Sequence, residues 1–215
     1  LLDIYKRLHR LYGPCRWWPA DTPFEVCVGA ILTQNTNWVN VEKAVANLKQ
    51  QGVLSSEGLK DISLEALAEM IRPAGYFNVK SRRLKSFVDW LWERFNGSLD
   101  TMFTVPLFSL RDELLNVYGI GRETCDSILL YAGNQPTFVV DAYTSRLFSR
   151  LGIICSKAGY EEVRELFMAH LESDPVLFNE YHALIVQQCK DYCRKKPVCC
   201  RCVLHAVCEN AQGIG

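Results

Sequence analysis

Apolar residues recur along the chain at the three-to-four-residue spacing of amphipathic helices, and the alternation typical of strands is nearly absent. Residues 24–32 are apolar almost throughout, which predicts a buried helix. Residues 79–95 repeat an apolar stripe and end at Asn96-Gly97. Similar patterns predict helices over residues 4–12, 37–48, 64–71, 109–117, 142–151, 160–171 and 175–190, with another after Gly121. The sequence therefore predicts an all-α protein.

Size and charge exclude several classes of protein. The chain has 215 residues, of which 49% are hydrophobic and 22% charged, as in an ordinary folded protein with a sizeable core. No apolar run reaches the roughly eighteen residues of a membrane span, so we expect no membrane association. Lys plus Arg equals Asp plus Glu, at 24 each. Any DNA binding must therefore come from a local patch.

Basic residues are nevertheless concentrated in two runs. Residues 72–85 contain five Lys or Arg and no acid, and residues 190–201 contain five against Asp191 alone. A solvated helix face is the ordinary explanation for either run taken alone. Two such runs in one neutral chain make a basic track along one side the alternative.

Ten cysteines are present, and six of them crowd the last part of the chain. The spacing Cys193-x5-Cys199-x2-Cys202-x5-Cys208 places four thiols in one short loop. Zinc sites more often use two Cys-x2-Cys pairs with a longer spacer, so the spacing favours an iron–sulfur cluster over zinc without excluding zinc. Helical sequence elsewhere argues against a disulfide framework, and we expect a reducing, cytoplasmic compartment.

A glycine pair separates two predicted helices at Gly119-Ile120-Gly121-Arg122. Two glycines this close allow a tight turn, expose backbone N–H groups and point a helix N-terminus outward, which suits a phosphate oxygen. A plain turn between helices is the alternative.

One carboxylate follows at the start of the next predicted helix. Asp141 comes directly after the apolar segment 138–140, where an Asp is most often an N-cap worth about 1 kcal/mol. Together, the glycine hairpin and this aspartate resemble the helix-hairpin-helix and Gly/Pro…Asp signature of the endonuclease III-like DNA glycosylase superfamily. The resemblance extends from about Trp18 to Cys208 and places the catalytic aspartate of the superfamily at Asp141.

The resemblance implies a two-lobed helical architecture. A bundle over residues 21–135 would carry the helix-hairpin-helix. A second lobe would combine residues 1–20 with 136–215 and hold a C-terminal [4Fe–4S] loop, leaving a cleft with Asp141 at its mouth. The superfamily loop has the spacing Cys-x6-Cys-x2-Cys-x5-Cys, one residue longer in its first interval than this chain. Choosing Cys200 instead of Cys199 would restore the first interval but leave only one residue before Cys202, where the superfamily loop has two. The expected ligands are therefore Cys193, Cys199, Cys202 and Cys208.

One departure from the superfamily pattern bears on the reaction. The strand-nicking lyase branch has a lysine two residues after the second hairpin glycine, and this chain has Glu123 there. A carboxylate cannot form the Schiff base that the lyase step requires. We therefore expect a monofunctional enzyme, with Glu123 either solvated or lining the base pocket.

Aromatic residues near the N-terminus resemble the 3-methyladenine glycosylase branch. Trp18-Pro19 and, twenty residues later, Trp38 match aromatic positions that sandwich the extruded base. A base that is cationic through methylation is attracted to aromatic faces and leaves readily. Gln34 matches the residue that fills the gap left by the flipped nucleotide, and Tyr76 falls at the wedge position. The alternatives are that Gln34 caps its own helix and Tyr76 belongs to the core.

We expect a base-excision-repair DNA N-glycosylase that removes alkylated purines, with Asp141 assisting hydrolysis. Its partner would be double-stranded DNA with a damaged base, and the enzyme would act as a monomer associated with the nucleoid. The alternatives are a bifunctional glycosylase/lyase for oxidised pyrimidines, a mismatch glycosylase, and a helix-hairpin-helix module that binds DNA without chemistry.

Overall fold

The computed structural model describes residues 1–15 and 17–212, and every regular element in that part of the chain is helical. The chain divides into two compact units. The central unit comprises Ala20–Gln135, and the terminal unit combines Leu1–Pro19 with Pro136–Gly215. Within the described residues, no helix is both long and apolar enough to cross a membrane.

The central unit is a helical bundle. Its helices are α2 (Pro23–Leu32), α3 (Trp38–Gln50), α4 (Ser56–Asp61), α5 (Leu64–Met70), α6 (Phe77–Phe95), α7 (Leu99–Met102), α8 (Leu107–Leu115) and α9 (Arg122–Ser127), with a 3-10 turn at Arg72–Ala74 and a π-helical turn at Ile128–Ala132. All of α2 from Phe24 onward is buried, as its apolar sequence predicts. The helix α6 buries the apolar stripe around Leu84, Phe87 and Leu91 and ends at Asn96 in the left-handed conformation.

The terminal unit contains α1 (Leu2–Tyr12), α10 (Ala142–Arg150), α11 (Tyr160–His170), α12 (Pro175–Asp191) and α13 (Glu209–Gln212), with 3-10 turns at Cys199–Arg201 and His205–Val207. Aromatic rings form its core. Phe138 stacks on Phe167 with ring centroids 3.9 Å apart, and Phe148 meets Phe167 edge-on at 4.8 Å. Such pairs add to the burial of their large apolar surfaces.

Two local expectations differ from the structure. The helix predicted to begin at Ser109 begins at Leu107, after Pro106 as its N-cap, so Ser109 caps nothing. Proline is well suited to a helix start because it lacks the N–H that would go unpaired there. The first basic run is also not a simple solvated face, because Lys80 is buried and Arg83 binds Gln34 within the central unit.

Candidate active site

Asp141 is the N-cap of α10 and uses one carboxylate oxygen for that role. Its Oδ1 accepts hydrogen bonds from the backbone N–H of Thr144 at 2.8 Å and from the Thr144 hydroxyl at 3.0 Å. The extended backbone at Asp141 and the helical backbone after it make this a standard cap. Asp141 therefore caps the helix, as its position in the sequence predicts, and it uses only Oδ1 to do so.

The second oxygen of Asp141 faces a histidine. Oδ2 lies 3.5 Å from Nε2 of His182 on α12, and the Asp141 side chain is only 14% exposed. Burial raises the pKa of this carboxyl, but the His182 charge and the hydrogen bonds from His182 and Thr144 outweigh burial and leave the pKa below its usual value. The site therefore holds a buried carboxylate in its charged form.

The glycine hairpin joins α8 to α9. Gly119 has a φ of 85°, in the left-handed region that favours glycine, and a Cβ there would collide with the Arg83 side chain. Gly121 is exposed at the N-cap of α9, and a Cβ there would meet nothing within 4 Å. Ile120 is buried, whereas Arg122 is exposed. The hairpin thus anchors through Ile120 and presents Gly121 and Arg122 outward.

Gln34 connects three segments of the central unit. Its Nε2 donates to the Gly119 carbonyl and to Oγ1 of Thr124, both at 2.9 Å, and its Oε1 accepts from Arg83. Gln34 therefore does not cap its own helix, whose C-cap is Thr33. Its side chain fixes the hairpin relative to the end of α2.

Tyr76 lies at the start of α6 and is 72% exposed, so it is not a core residue. Its φ of 47° is left-handed, which is uncommon and costly for a bulky side chain. Lys80, one turn further along, is 1% exposed and donates to the carbonyls of Leu32 at 2.8 Å and Ala74 at 2.7 Å. Lys80 thereby ties together the segments that lead to Gln34 and Tyr76.

The remaining residues proposed for the base pocket lie in both units. Trp18 and Pro19 belong to the terminal unit, where Trp17 meets Trp18 edge-on with ring centroids 6.3 Å apart. Trp38 is the first residue of α3 in the central unit, and its Nε1 donates to Glu42 at 2.8 Å. Glu123 is exposed in the first turn of α9.

Four C-terminal cysteines line one cavity in the terminal unit: Cys193, Cys199, Cys202 and Cys208. Cys200 is exposed, and Cys189 is buried beside Cys193; neither of the two lines the cavity. Two of the sulfurs accept N–H hydrogen bonds, Cys202 from Gln188 at 3.0 Å and Cys193 from Arg150 at 3.3 Å. Such donors suit thiolate ligands.

The arrangement of these sulfurs bears on the kind of metal group they fit. In the described residues, no three His, Cys, Asp or Glu side chains converge as ligands of a single metal ion. A [4Fe–4S] cluster receives one thiolate at each of its four irons. The four cysteines fit that donor set.

The sequence alone did not indicate the roles of three residues described above: His182, Lys80 and Thr124. A lone His inside an apolar helix gives no local signal of its partner, and Lys80 lies in a basic run that predicts a solvated side chain. Thr144 was foreseeable, because it stands three residues after a candidate N-cap Asp.

The sequence matches a known protein family. Residues 28–173 match the family model described as HhH-GPD superfamily base excision DNA repair protein. A protein of Methanocaldococcus jannaschii, named as a candidate DNA repair glycosylase, is 48% identical over 209 residues, which cover 97% of this chain and 95% of that protein.

Solved structures share the fold. The crystal structure of H. pylori 3-methyladenine DNA glycosylase (MagIII) bound to 1,N6-ethenoadenine is 30% identical, with a TM-score of 0.77 over 87% of this chain and 96% of that one. An endonuclease III in a non-covalent DNA complex is 21% identical, with a TM-score of 0.85 over 99% of this chain and 95% of that one. The chain therefore belongs to the HhH-GPD superfamily of base excision DNA repair proteins, and it is a DNA glycosylase of that family.

Proposed function

We propose that the protein is a monofunctional DNA N-glycosylase that excises alkylated purines such as 3-methyladenine from double-stranded DNA, acting as a monomer. The observation that carries the proposal is Asp141, a buried carboxylate held in its charged form at the start of α10. The similarity to a 3-methyladenine DNA glycosylase from H. pylori supports the substrate class.

Asp141 would supply the electrostatic part of the reaction. Cleavage of the N-glycosidic bond leaves an oxocarbenium-like sugar, and a negative charge fixed beside it in a poorly solvated site stabilises that cation strongly. The same carboxylate would orient the attacking water and accept its proton. A pKa below the usual value keeps Asp141 ionised at neutral pH, as this role requires.

The damaged base would be held by aromatic faces. A methylated purine carries a positive charge, and Trp18 and Trp38 would attract it through stacking and cation–π interaction, each worth on the order of 1–2 kcal/mol. Pro19 and Glu123 are the other two residues that we propose contact the base. Because such a base is already a good leaving group, little general-acid assistance is needed.

The hairpin and the segments that carry Tyr76 and Gln34 would bind the DNA. Gly121 and Arg122 are exposed at the N-terminus of α9, where N–H groups suit a phosphate, while Gly119 and Ile120 shape the turn. The exposed ring of Tyr76 would wedge into the duplex and offset part of the cost of base flipping. Gln34 would fill the gap left by the flipped nucleotide, exchanging hydrogen bonds it makes within the central unit.

The residues at two positions, Glu123 and Lys80, argue against a lyase step. Glu123 occupies the position where the lyase branch has its lysine. Burial and then the Arg83 charge lower the pKa of Lys80 to about 8, a value that suits Schiff-base chemistry. Its amine is nevertheless buried and donates to two carbonyls, so it cannot reach a sugar.

We further propose that Cys193, Cys199, Cys202 and Cys208 hold a [4Fe–4S] cluster. When bound, such a cluster cross-links the loop that follows α12 and adds binding free energy to folding. Gln188 and Arg150 would stabilise the thiolates through their N–H groups.

Asp141→Asn tests the proposed catalysis. Asn still caps a helix, so folding should survive, whereas loss of the charge should slow excision of 3-methyladenine a hundredfold or more, about 3 kcal/mol. Single-turnover assays on a duplex with one lesion measure this. Asp174→Asn is the control, because Asp174 also caps a helix with its carboxylate, accepting from the backbone N–H of Val176 at the start of α12. Excision at the parent rate by Asp141→Asn would contradict the proposed role.

A panel of single-lesion duplexes, assayed with and without alkali, tests the substrate class. Alkylated purines should be released, and strand breaks should appear only after alkali treatment. Borohydride should not trap a covalent complex, because no Schiff base forms. Removal of oxidised pyrimidines with strand cleavage would favour the bifunctional alternative. Binding that ignores base damage and yields no abasic product would favour a non-enzymatic module.

A further inference from the structure

The carboxylate of Asp141 is held from two sides by residues of its own unit. Thr144, on the same helix, hydrogen-bonds Oδ1, and His182, 41 positions later in the chain, approaches Oδ2 at 3.5 Å. The two contacts together fix the rotation of the carboxylate about its Cβ–Cγ bond. Helix capping accounts for the first contact and does not require the second.

The His182 ring is itself fixed in position. Its side chain is buried among aromatic rings, with Trp17 at 6.4 Å and an interplanar angle of 65°, and with Phe138 at 6.5 Å and 75°. Its helix neighbours Tyr181 and Ala183 are buried as well. An imidazole this confined cannot swing away from Asp141 without disturbing the aromatic core.

Because its surroundings are apolar, the contact with His182 affects the charge of the Asp141 carboxylate. Burial by itself would favour the protonated carboxyl, which could still cap the helix but would carry no charge for the sugar. A nearby imidazole opposes that effect in the low-dielectric interior. Residues that orient a catalytic group through a second hydrogen-bonding partner commonly affect rate without touching substrate.

We propose that His182 is the positioning residue for Asp141, holding Oδ2 with its Nε2 while Thr144 holds Oδ1. This inference rests on the catalytic role proposed above for Asp141. It adds a residue from α12 to the active site, and it assigns His182 no contact with the DNA.

A pair of closely matched variants tests the proposal. In His182→Gln the side-chain amide nitrogen can lie near the position of Nε2, whereas the amide of His182→Asn is one methylene shorter and stops short of Oδ2. Both are polar and smaller than His, so they disturb the core similarly. The expected result is that His182→Asn lowers the single-turnover excision rate about tenfold and His182→Gln retains most of it. Affinity for an abasic-site duplex should be unchanged in both. His170→Gln, on an exposed histidine of α11, is the control.

A double-mutant cycle shows whether His182 acts through Asp141. If it does, adding His182→Asn to Asp141→Asn should lower the remaining rate less than about twofold, because the effects of coupled residues do not add. Circular dichroism and urea unfolding verify that each variant is folded.

The outcomes separate this inference from the proposed function. If Asp141→Asn excises at the parent rate, the proposed function fails and the inference fails with it. If Asp141→Asn is slow but His182→Asn lowers the rate equally in both backgrounds, only the inference is overturned. Equal rates for His182→Gln and His182→Asn would overturn it as well, since contact with Oδ2 would then not matter. If His182→Asn does not fold, loss of rate in a folded His182→Gln would overturn it.

Discussion

Lys80 is a charged residue that lies inside the helical bundle of the central unit and binds backbone carbonyls there. Its amine takes the place of the missing intrahelical donors at the ends of two helical segments, by donating to the carbonyls of Leu32 and Ala74. In sequence it belongs to a basic run, where it predicts a solvated or DNA-facing side chain. In the structure it is buried instead, and its burial should make the stability of the protein depend on pH.

We predict that Lys80 makes the stability of the protein rise with pH in the alkaline range. The pKa of Lys80 is about 8 in the folded chain and 10.5 in an ordinary one, so between these values the unfolded chain binds more protons. The free energy of unfolding should therefore increase as pH rises through this window, by up to about 3 kcal/mol. Urea unfolding of the parent and of Lys80→Met between pH 7 and 10.5 isolates the contribution. A constant difference between the two would contradict the prediction.

At the level of elements, the two glycines of the hairpin between α8 and α9 have different roles. Gly119 needs a left-handed backbone and leaves no room for a Cβ beside Arg83, whereas Gly121 needs neither. In the sequence the two glycines form one Gly-x-Gly motif, and their roles cannot be told apart. The structure assigns conformation to the first and leaves the second free for a close approach by another molecule.

We predict that alanine destabilises the protein at Gly119 and has little effect at Gly121. Gly119→Ala should lower the free energy of unfolding by about 1–3 kcal/mol, because it combines left-handed strain with a clash against Arg83. Gly121→Ala should stay within about 0.5 kcal/mol of the parent. Urea unfolding measures both. Comparable destabilisation at the two sites would contradict the different roles assigned to the two glycines.

The larger substitution Gly121→Val tests the phosphate contact itself. The protein should remain folded, while its affinity for undamaged duplex falls because a branched side chain keeps the phosphate from the exposed N–H groups. Binding measured at several salt concentrations gives the affinity. Unchanged affinity would mean that the hairpin is not the phosphate site.

At the scale of the whole molecule, the C-terminal cysteines allow a prediction about composition. Cys199 lines the cavity with three other cysteines and Cys200 does not. Purified protein should be brown and contain iron and sulfide near four each per chain. Cys199→Ser should lose the cluster and Cys200→Ser should keep it, as measured by metal analysis and absorbance. One zinc without sulfide, or the reverse result for the two variants, would refute the assignment.

Local signals in the sequence determined the all-α class, most helices and the family. Helix periodicity, caps and glycine breaks depend on neighbours within a few residues, so they can be recognised without knowing the fold. The predicted start of α8 is wrong because Ser109 resembles a capping residue, whereas the helix begins after Pro106 and has no side-chain cap. The motif that identifies the family is likewise contiguous in sequence, from the glycine hairpin to Asp141.

Only the tertiary structure decided which distant residues meet. Gln34 binds Gly119 and Thr124, 85 and 90 positions away, and His182 reaches Asp141 across 41. These pairings depend on how helices pack, and a single buried polar residue in an apolar helix carries no local mark of its partner. The chain by itself specified the carboxylate and the helix that it caps. The packing of α12 against α10 specified the imidazole beside it, because only a folded core can bring the two together and hold both away from water.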